Sequence, residues 1–101
     1  MNGSVLMSDS DEWTWELSER AADGLEALDA ETQQRALDKL DDVVSDEFRD
    51  PPDFAKPLTG TKPWQSLRIG DYRAIVRFNR ERQVMQVGAV GHRSSIYDEF
   101  P

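Results

Sequence analysis

Between Pro63 and Gly91 the chain leaves room for little except a tight antiparallel meander. Residues 72–78 (YRAIVRF) place Tyr72, Ala74, Val76 and Phe78 on one side and Arg73, Ile75 and Arg77 on the other, the two-residue period of a strand. Segments of similar character cover 64–69 and 83–90. Gly70-Asp71 separates the first two segments, and Asn79 to Arg82 separates the next pair. Connections this short join only antiparallel neighbours. Three such strands are stable only if one sheet face is covered by another layer.

The first half of the chain supplies that layer. Trp13 to Leu17 alternates large apolar with polar residues and reads as a further strand, with Trp13 and Trp15 facing the core. Ser18 offers a helix N-cap, followed by Glu19 in the first turn. Leu17, Ala21, Leu25 and Leu28 recur at helical spacing, which predicts a helix over 19–28. Asp29 reads as the next N-cap, for a helix over 30–47. That helix has Leu37, Leu40, Val44 and Phe48 on one stripe and Ala36 and Val43 beside it. Glu31, Asp38, Asp41, Asp42 and Asp46 make its other face a solvated acidic surface. The helices are nearly contiguous and predict an antiparallel hairpin. Asp50-Pro51-Pro52 ends the second helix, residues 53–63 read as a loop, and the last segment, Gly91 to Pro101, as one helical turn. The expected fold is α+β: a small twisted, mainly antiparallel sheet in the order β-α-α-β-β-β, with the helix pair on one face. Residues 1–12 read as a disordered acidic leader, with Met7 as an alternative start, and 13–101 as one domain.

Composition narrows the chemistry. There is no cysteine, so thiolate metal sites and disulfides are excluded, and a single histidine argues against a His-based metal cluster. No run of about 18 apolar residues exists to span a membrane, and residues 1–11 lack the basic start and apolar stretch of a signal peptide. The expected location is the cytoplasm. Charge is divided along the chain. Residues 1–50 hold fifteen acids and four bases, a net of −11; residues 51–101 hold five acids and eight bases, a net of +3. Nine of the twelve bases are arginine. An acidic, lysine-poor chain suits a salt-rich cytoplasm, where self-repulsion is screened and carboxylates hold water. The alternative is an ordinary acidic protein.

The basic half points to an anion. If Tyr72, Ala74, Val76 and Phe78 lie under the helices, Arg73 and Arg77 lie on the open face. Leu67 and Ile69 belong to the core, and Trp64, Ser66 and Arg68 to the open face. In the last strand Met85, Val87 and Ala89 are expected inward, and Val84, Gln86, Gly88 and Val90 outward. With Arg93 just after that strand, Arg68, Arg73, Arg77 and Arg93 form a central basic patch. Like charges on adjacent strands destabilise a sheet, so the patch calls for a partner: carboxylates from the first half, or a bound phosphate matched to the guanidinium fork. His92 and Tyr97 add imidazole and phenol, the parts for moving a proton beside a phosphorane.

Three segments together resemble the RelE toxins of type II toxin–antitoxin systems, within the RelE/ParE superfamily. They are Leu67-Arg68-Ile69-Gly70-Asp71-Tyr72-Arg73-Ala74-Ile75, Val87-Gly88-Ala89-Val90-Gly91-His92-Arg93, and Tyr97. The Leu58-Thr59-Gly60 loop before Trp64 agrees as well, and the similarity covers about 13–97. The resemblance implies a small endoribonuclease that enters the ribosomal A site and cuts mRNA there. The messenger's own 2′-OH attacks the adjacent phosphate, leaving a 2′,3′-cyclic phosphate and a 5′-OH, and no cofactor or metal takes part. It implies catalytic roles for Arg73, Arg93, Tyr97 and His92. RNA contacts are expected from Arg68, Arg77, Lys62, Lys56, Ser66 and Trp64, with Trp64 either stacking a base or capping the sheet edge. The two strand lysines of RelE fall on Trp64 and Ser66 here, and Tyr97 follows Arg93 at a shorter spacing. The implied partners are a RelB-like antitoxin, the ribosome and mRNA, without a membrane, and the composition adds a halophilic archaeon as the source. Two other readings share the fold: a ParE-like inhibitor of DNA gyrase, and a degraded toxin kept as a binding module.

Overall fold

The computed structural model describes residues 12–58 and 62–99. Of the expected leader at 1–12 all but Glu12 lies outside the described residues, as do Thr59 and Gly60. Among the described residues, five strands, two longer helices, one 3-10 turn and a final helical turn follow one another. They are β1 (Thr14–Leu17), α1 (Glu19–Glu26), α2 (Ala30–Ser45), the 3-10 turn Pro51–Phe54, β2 (Ala55–Pro57), β3 (Gln65–Ile69), β4 (Tyr72–Asn79), β5 (Val84–His92) and α3 (Ile96–Glu99). The sheet order is β1-β5-β4-β3-β2. The meander β3-β4-β5 is antiparallel as expected, and so is β2 on β3. β1 is parallel to β5, in the register Thr14 to Val84 and Leu17 to Val87.

Both long helices pack on one face of this sheet. Ala21 and Leu25 from α1 and Ala36, Leu40 and Val43 from α2 form the main core with Leu67, Ile69, Ala74, Val76, Met85, Val87 and Val90. Trp15, Leu17 and Tyr72 pack at its margin, and the Trp15 indole N–H donates to Asp41 Oδ1 at 2.8 Å, tying β1 to α2. Ser18 caps α1 as predicted: its Oγ accepts from the Ala21 N–H at 3.0 Å. The same hydroxyl donates to the Gly88 carbonyl at 2.9 Å, so the helix start is fastened to β5. Gly24 sits where α1 crosses β5. A Cβ there would overlap the Val90 carbonyl, so only glycine lets the helix approach this closely.

Four expectations are corrected. The second helix stops at Ser45 rather than 47, because the Asp46 carboxylate accepts from the backbone N–H groups of Phe48 (2.7 Å) and Arg49 (2.8 Å) and turns the chain aside. Phe48 therefore leaves the apolar stripe and is 92% exposed. The first helix likewise ends at Glu26, short of 28. Residues 55–57, placed in a loop, form the edge strand β2.

The fourth correction bears on the site. The β4–β5 register pairs Ile75 with Ala89 but Val76 with Val87, so Gly88 is an extra residue, a β-bulge. Past it the alternation of β5 inverts. Val90, expected outward, is in the helix-side core, and Ala89, expected inward, lies on the far face. That far face is not open. Ile75 and Ala89 are fully buried there beneath Ile96 of α3, with Leu58 and Trp64 packed around them. Burying an isoleucine side chain contributes roughly 1.5–3 kcal/mol, which is what holds so short a C-terminal helix on the sheet.

Candidate nucleic-acid interface

Three rows of side chains cross the far face, set by the strand registers. The first pairs Arg68 with Arg73, and Arg73 with Gly91. The second runs from Lys56 through Ser66 and Ile75 to Ala89. The third joins Arg77 to Gln86 and Gln86 to Glu16. α3 lies over the second row, so the basic residues are parted into two groups. Arg73 and Arg77 are four residues apart on one strand, about 13 Å. The predicted single patch of four arginines is two sites.

The first site is a hollow of about 350 Å³ lined by Arg73, His92, Arg93, Ser94 and Tyr97. Arg73 is half-buried, and one guanidinium nitrogen donates to the carbonyls of Gly70 and Tyr72, both at 2.8 Å. These bonds pin the β3–β4 turn, where Gly70 holds a positive φ of 61°. The same contacts orient the planar fork. Arg93 is exposed; its Nε lies 3.8 Å from Asp71 Oδ1, and its backbone N–H donates to the Asp71 carbonyl at 2.9 Å. An ion pair so exposed contributes little to stability, and the Arg93 side chain stays open to solvent. Tyr97, 42% exposed, brings its hydroxyl to 2.7 Å from Ser66 Oγ. His92 lines the hollow but is held from two sides. Its ring packs edge-on against Tyr72 with centroids 5.3 Å apart, and its Nδ1 accepts from the Ser94 backbone N–H at 3.1 Å, with the Ser94 hydroxyl at 2.8 Å.

The second site surrounds Arg77. Its Nε donates to Gln86 Oε1 at 2.8 Å, and its guanidinium carbon lies 5.2 Å from the centre of the Trp64 ring. The Gln86 amide donates to Glu16 Oε1 at 3.1 Å, and Arg82 reaches Glu16 Oε2 at 4.0 Å.

The remaining predicted residues are peripheral. Arg68 is exposed beside Arg73 without lining the hollow. Lys56 is exposed on the edge strand β2, and Lys62 is exposed just before the β3 segment. Ser66, expected to touch RNA, is the hydrogen-bond partner of Tyr97. Asp71, Ser94, Gln86 and Glu16 were not singled out from the sequence. Ser94 and Asp71 are near neighbours of predicted arginines, whereas Glu16 enters through the parallel β1–β5 pairing. Among the described residues no group of three or more His, Asp or Glu is arranged to hold a metal ion, and no helix is long and apolar enough to cross a membrane.

Residues 15–97 match the family described as the ParE toxin of type II toxin–antitoxin systems. Among solved structures, the chain is similar to one in the RelBE2 toxin–antitoxin complex of Mycobacterium tuberculosis. That match has 24% identity and a TM-score of 0.70, over 81% of this chain and 99% of that one. A chain of the archaeal RelE–RelB complex of Pyrococcus horikoshii is similar at 21% identity and a TM-score of 0.63, over 83% and 98%. A mutant of the Escherichia coli toxin RelE in the free state gives 23% and 0.64, over 87% and 93%. At these identities the structural matches speak to the fold. No curated protein matches the sequence.

Proposed function

The chain belongs to the ParE toxin family of type II toxin–antitoxin systems, and from that premise we propose that it is a metal-independent endoribonuclease that cleaves mRNA in the ribosomal A site. One observation carries the reading: Arg73, Arg93 and Tyr97 line a single hollow, wide enough to admit a phosphate and flanked by Arg68. In the proposed step the ribose 2′-oxygen forms a bond to the adjacent phosphorus and the bond to the 5′-oxygen breaks. The products are a 2′,3′-cyclic phosphate and a 5′-OH. The attacking hydroxyl loses a proton and the leaving oxygen gains one, with Tyr97 or Nε2 of His92 as the transferring group. Arg73 and Arg93 carry the charge of the phosphorane. Arg73 is pre-oriented by the turn carbonyls, so little reorganisation accompanies binding. Lys56, Lys62 and Arg68, at the margin, would meet the RNA backbone. A RelB-like antitoxin is the proposed partner that covers these groups, and the cytoplasm the proposed location.

Primer extension on translated mRNA tests the proposal. Wild type is expected to create new 5′ ends, and Arg73→Ala and Tyr97→Phe to lose most of them. Full cleavage by both variants would overturn the assignment of the hollow. A second reading is supported by the matching family itself, that of ParE toxins: binding to DNA gyrase without chemistry. Inhibited supercoiling with no new 5′ ends would establish it instead.

A further inference from the structure

The Arg77 site contains chemistry that phosphate binding does not use. Beside it lies a cleft of about 200 Å³ lined by Glu16, Leu17, Ser18, Trp64, Arg77, Gln86, Val87 and Gly88. It is smaller than the ~300–1,000 Å³ typical of sites for drug-sized ligands, and its size suits one planar heterocycle better than a whole nucleotide. Its walls combine an indole with a guanidinium 5.2 Å from the ring centre, the surfaces on which nucleobases stack. Its polar end is directional. Arg77 holds the Gln86 oxygen, which turns the amide N–H toward Glu16 and fixes Glu16 Oε1 in place. Arg82, at 4.0 Å from Oε2, offsets the carboxylate charge without closing it off, and the Glu16 side chain remains 49% exposed.

We propose that this cleft is a guanine-reading subsite for RNA whose phosphate lies in the Arg73 hollow. A carboxylate only accepts hydrogen bonds. Of the RNA bases, guanine alone presents two adjacent donors on its Watson–Crick edge, N1–H and the N2 amino group, and so can pair with a carboxylate through both oxygens. Cytosine and adenine present one amino donor beside an acceptor that the carboxylate repels, and uracil has a single ring donor between acceptors. The spacing of about 13 Å between Arg73 and Arg77 is one that a short stretch of extended single strand spans. The base read is therefore not the one at the scissile phosphate. The inference rests on the nuclease reading only for the RNA as ligand; the cleft's preference for guanine is independent of cleavage.

The test is a heteronuclear NMR titration of the full chain with GMP, IMP, AMP and CMP, read at the Trp64 indole N–H and the Gln86 side-chain amide. GMP is expected to move both signals and to bind at least about fivefold tighter than AMP or CMP, the discrimination of a bidentate pair. IMP, lacking the N2 amino group, should fall between. Glu16→Gln should abolish the preference while leaving the fold intact, as the unchanged remainder of the spectrum would show. Equal binding of all four nucleotides, or no movement of Trp64 with GMP in large excess, would overturn the subsite. A pair of single-stranded RNAs differing by one G-to-A change separates RNA from free nucleotide. Tighter binding of the guanine member supports the proposal, and GMP binding without discrimination between the RNAs overturns it. Guanine binding with no mRNA cleavage would leave the subsite standing and remove the nuclease reading. Cleavage with no guanine binding would do the reverse.

Discussion

The hydroxyls of Ser66 and Tyr97 meet at 2.7 Å, across thirty-one residues of sequence. The bond joins the C-terminal turn to the meander and sets the phenol beside Arg73 and Arg93. It also separates two roles that Tyr97 could play. A phenol that only anchors α3 loses an exposed hydrogen bond on mutation, worth at most about 1 kcal/mol. A phenol that transfers a proton loses roughly 10²–10⁴ in rate.

Tyr97→Phe and Ser66→Ala should therefore diverge. Each removes the same hydrogen bond, so their urea midpoints should fall equally and slightly. Cleavage should collapse for Tyr97→Phe alone and stay within a few-fold of wild type for Ser66→Ala. Equal loss in both would mean that the hydrogen bond, not the phenol, matters for activity.

Arg73 has a structural duty that its place on the strand did not reveal. Its donation to Gly70 and Tyr72 carbonyls predicts that Arg73→Ala loses about 1 kcal/mol of stability, besides a fall in cleavage of roughly 10²–10³-fold. Arg73→Lys should recover most of the stability, since an ammonium can still reach a carbonyl. It should recover little of the cleavage, because the two-pronged contact to phosphate is gone. Urea unfolding and primer extension on both variants check this, and parallel recovery of the two properties would reject a catalytic guanidinium.

What the sequence disclosed follows from range. The meander, the Ser18 cap and the apolar stripe of α2 as far as Val44 depend on local spacing, and each is where it was expected. Phe48 was misplaced because the Asp46 turn interrupts the helical period before reaching it. Ala89 and Val90 were assigned to the wrong faces because strict alternation was carried through Gly88. An isolated glycine within a strand is itself a bulge signal, so that error was correctable. The parallel seating of β1 on β5, and with it the arrival of Glu16 beside Arg77, depends on contacts seventy residues apart, for which one sequence has no local mark. The covering of the far face by Ile96 is of the same kind. It turned an expected open patch of arginines into two sites.

Gly24 gives a stability prediction of unusual sign. In a helix interior, glycine to alanine ordinarily gains about 0.8–1 kcal/mol. Here the new methyl would overlap the Val90 backbone carbonyl, which can yield only by moving α1 off β5. Gly24→Ala should lower stability by roughly 1–3 kcal/mol despite the better propensity, seen as a lower melting temperature. A rise would show that α1 shifts freely.

The last prediction concerns how α3 is held. Ile96 is 3% exposed and rests on Ile75 and Ala89, and its side chain also lies against Gly91, where a Cβ would come within 2.9 Å of Ile96 Cδ1. Among the described residues, Leu58 and Trp64 pack around this contact, and the helix is further fastened by the Tyr97–Ser66 bond and the turn bonds from Ser95 N–H to His92 and from Asp98 N–H to Ser95. Ile96→Ala in a rigid core would cost about 2–5 kcal/mol. A terminal turn instead responds by undocking, and the loss is then capped at what the docking was worth. Amide exchange should accelerate at 95–98 while β4 and β5 stay protected. Cleavage should fall as far as in Tyr97→Phe, since the phenol leaves the hollow with the helix. Full cleavage by a variant whose α3 exchanges freely would show that Tyr97 takes no part in the reaction.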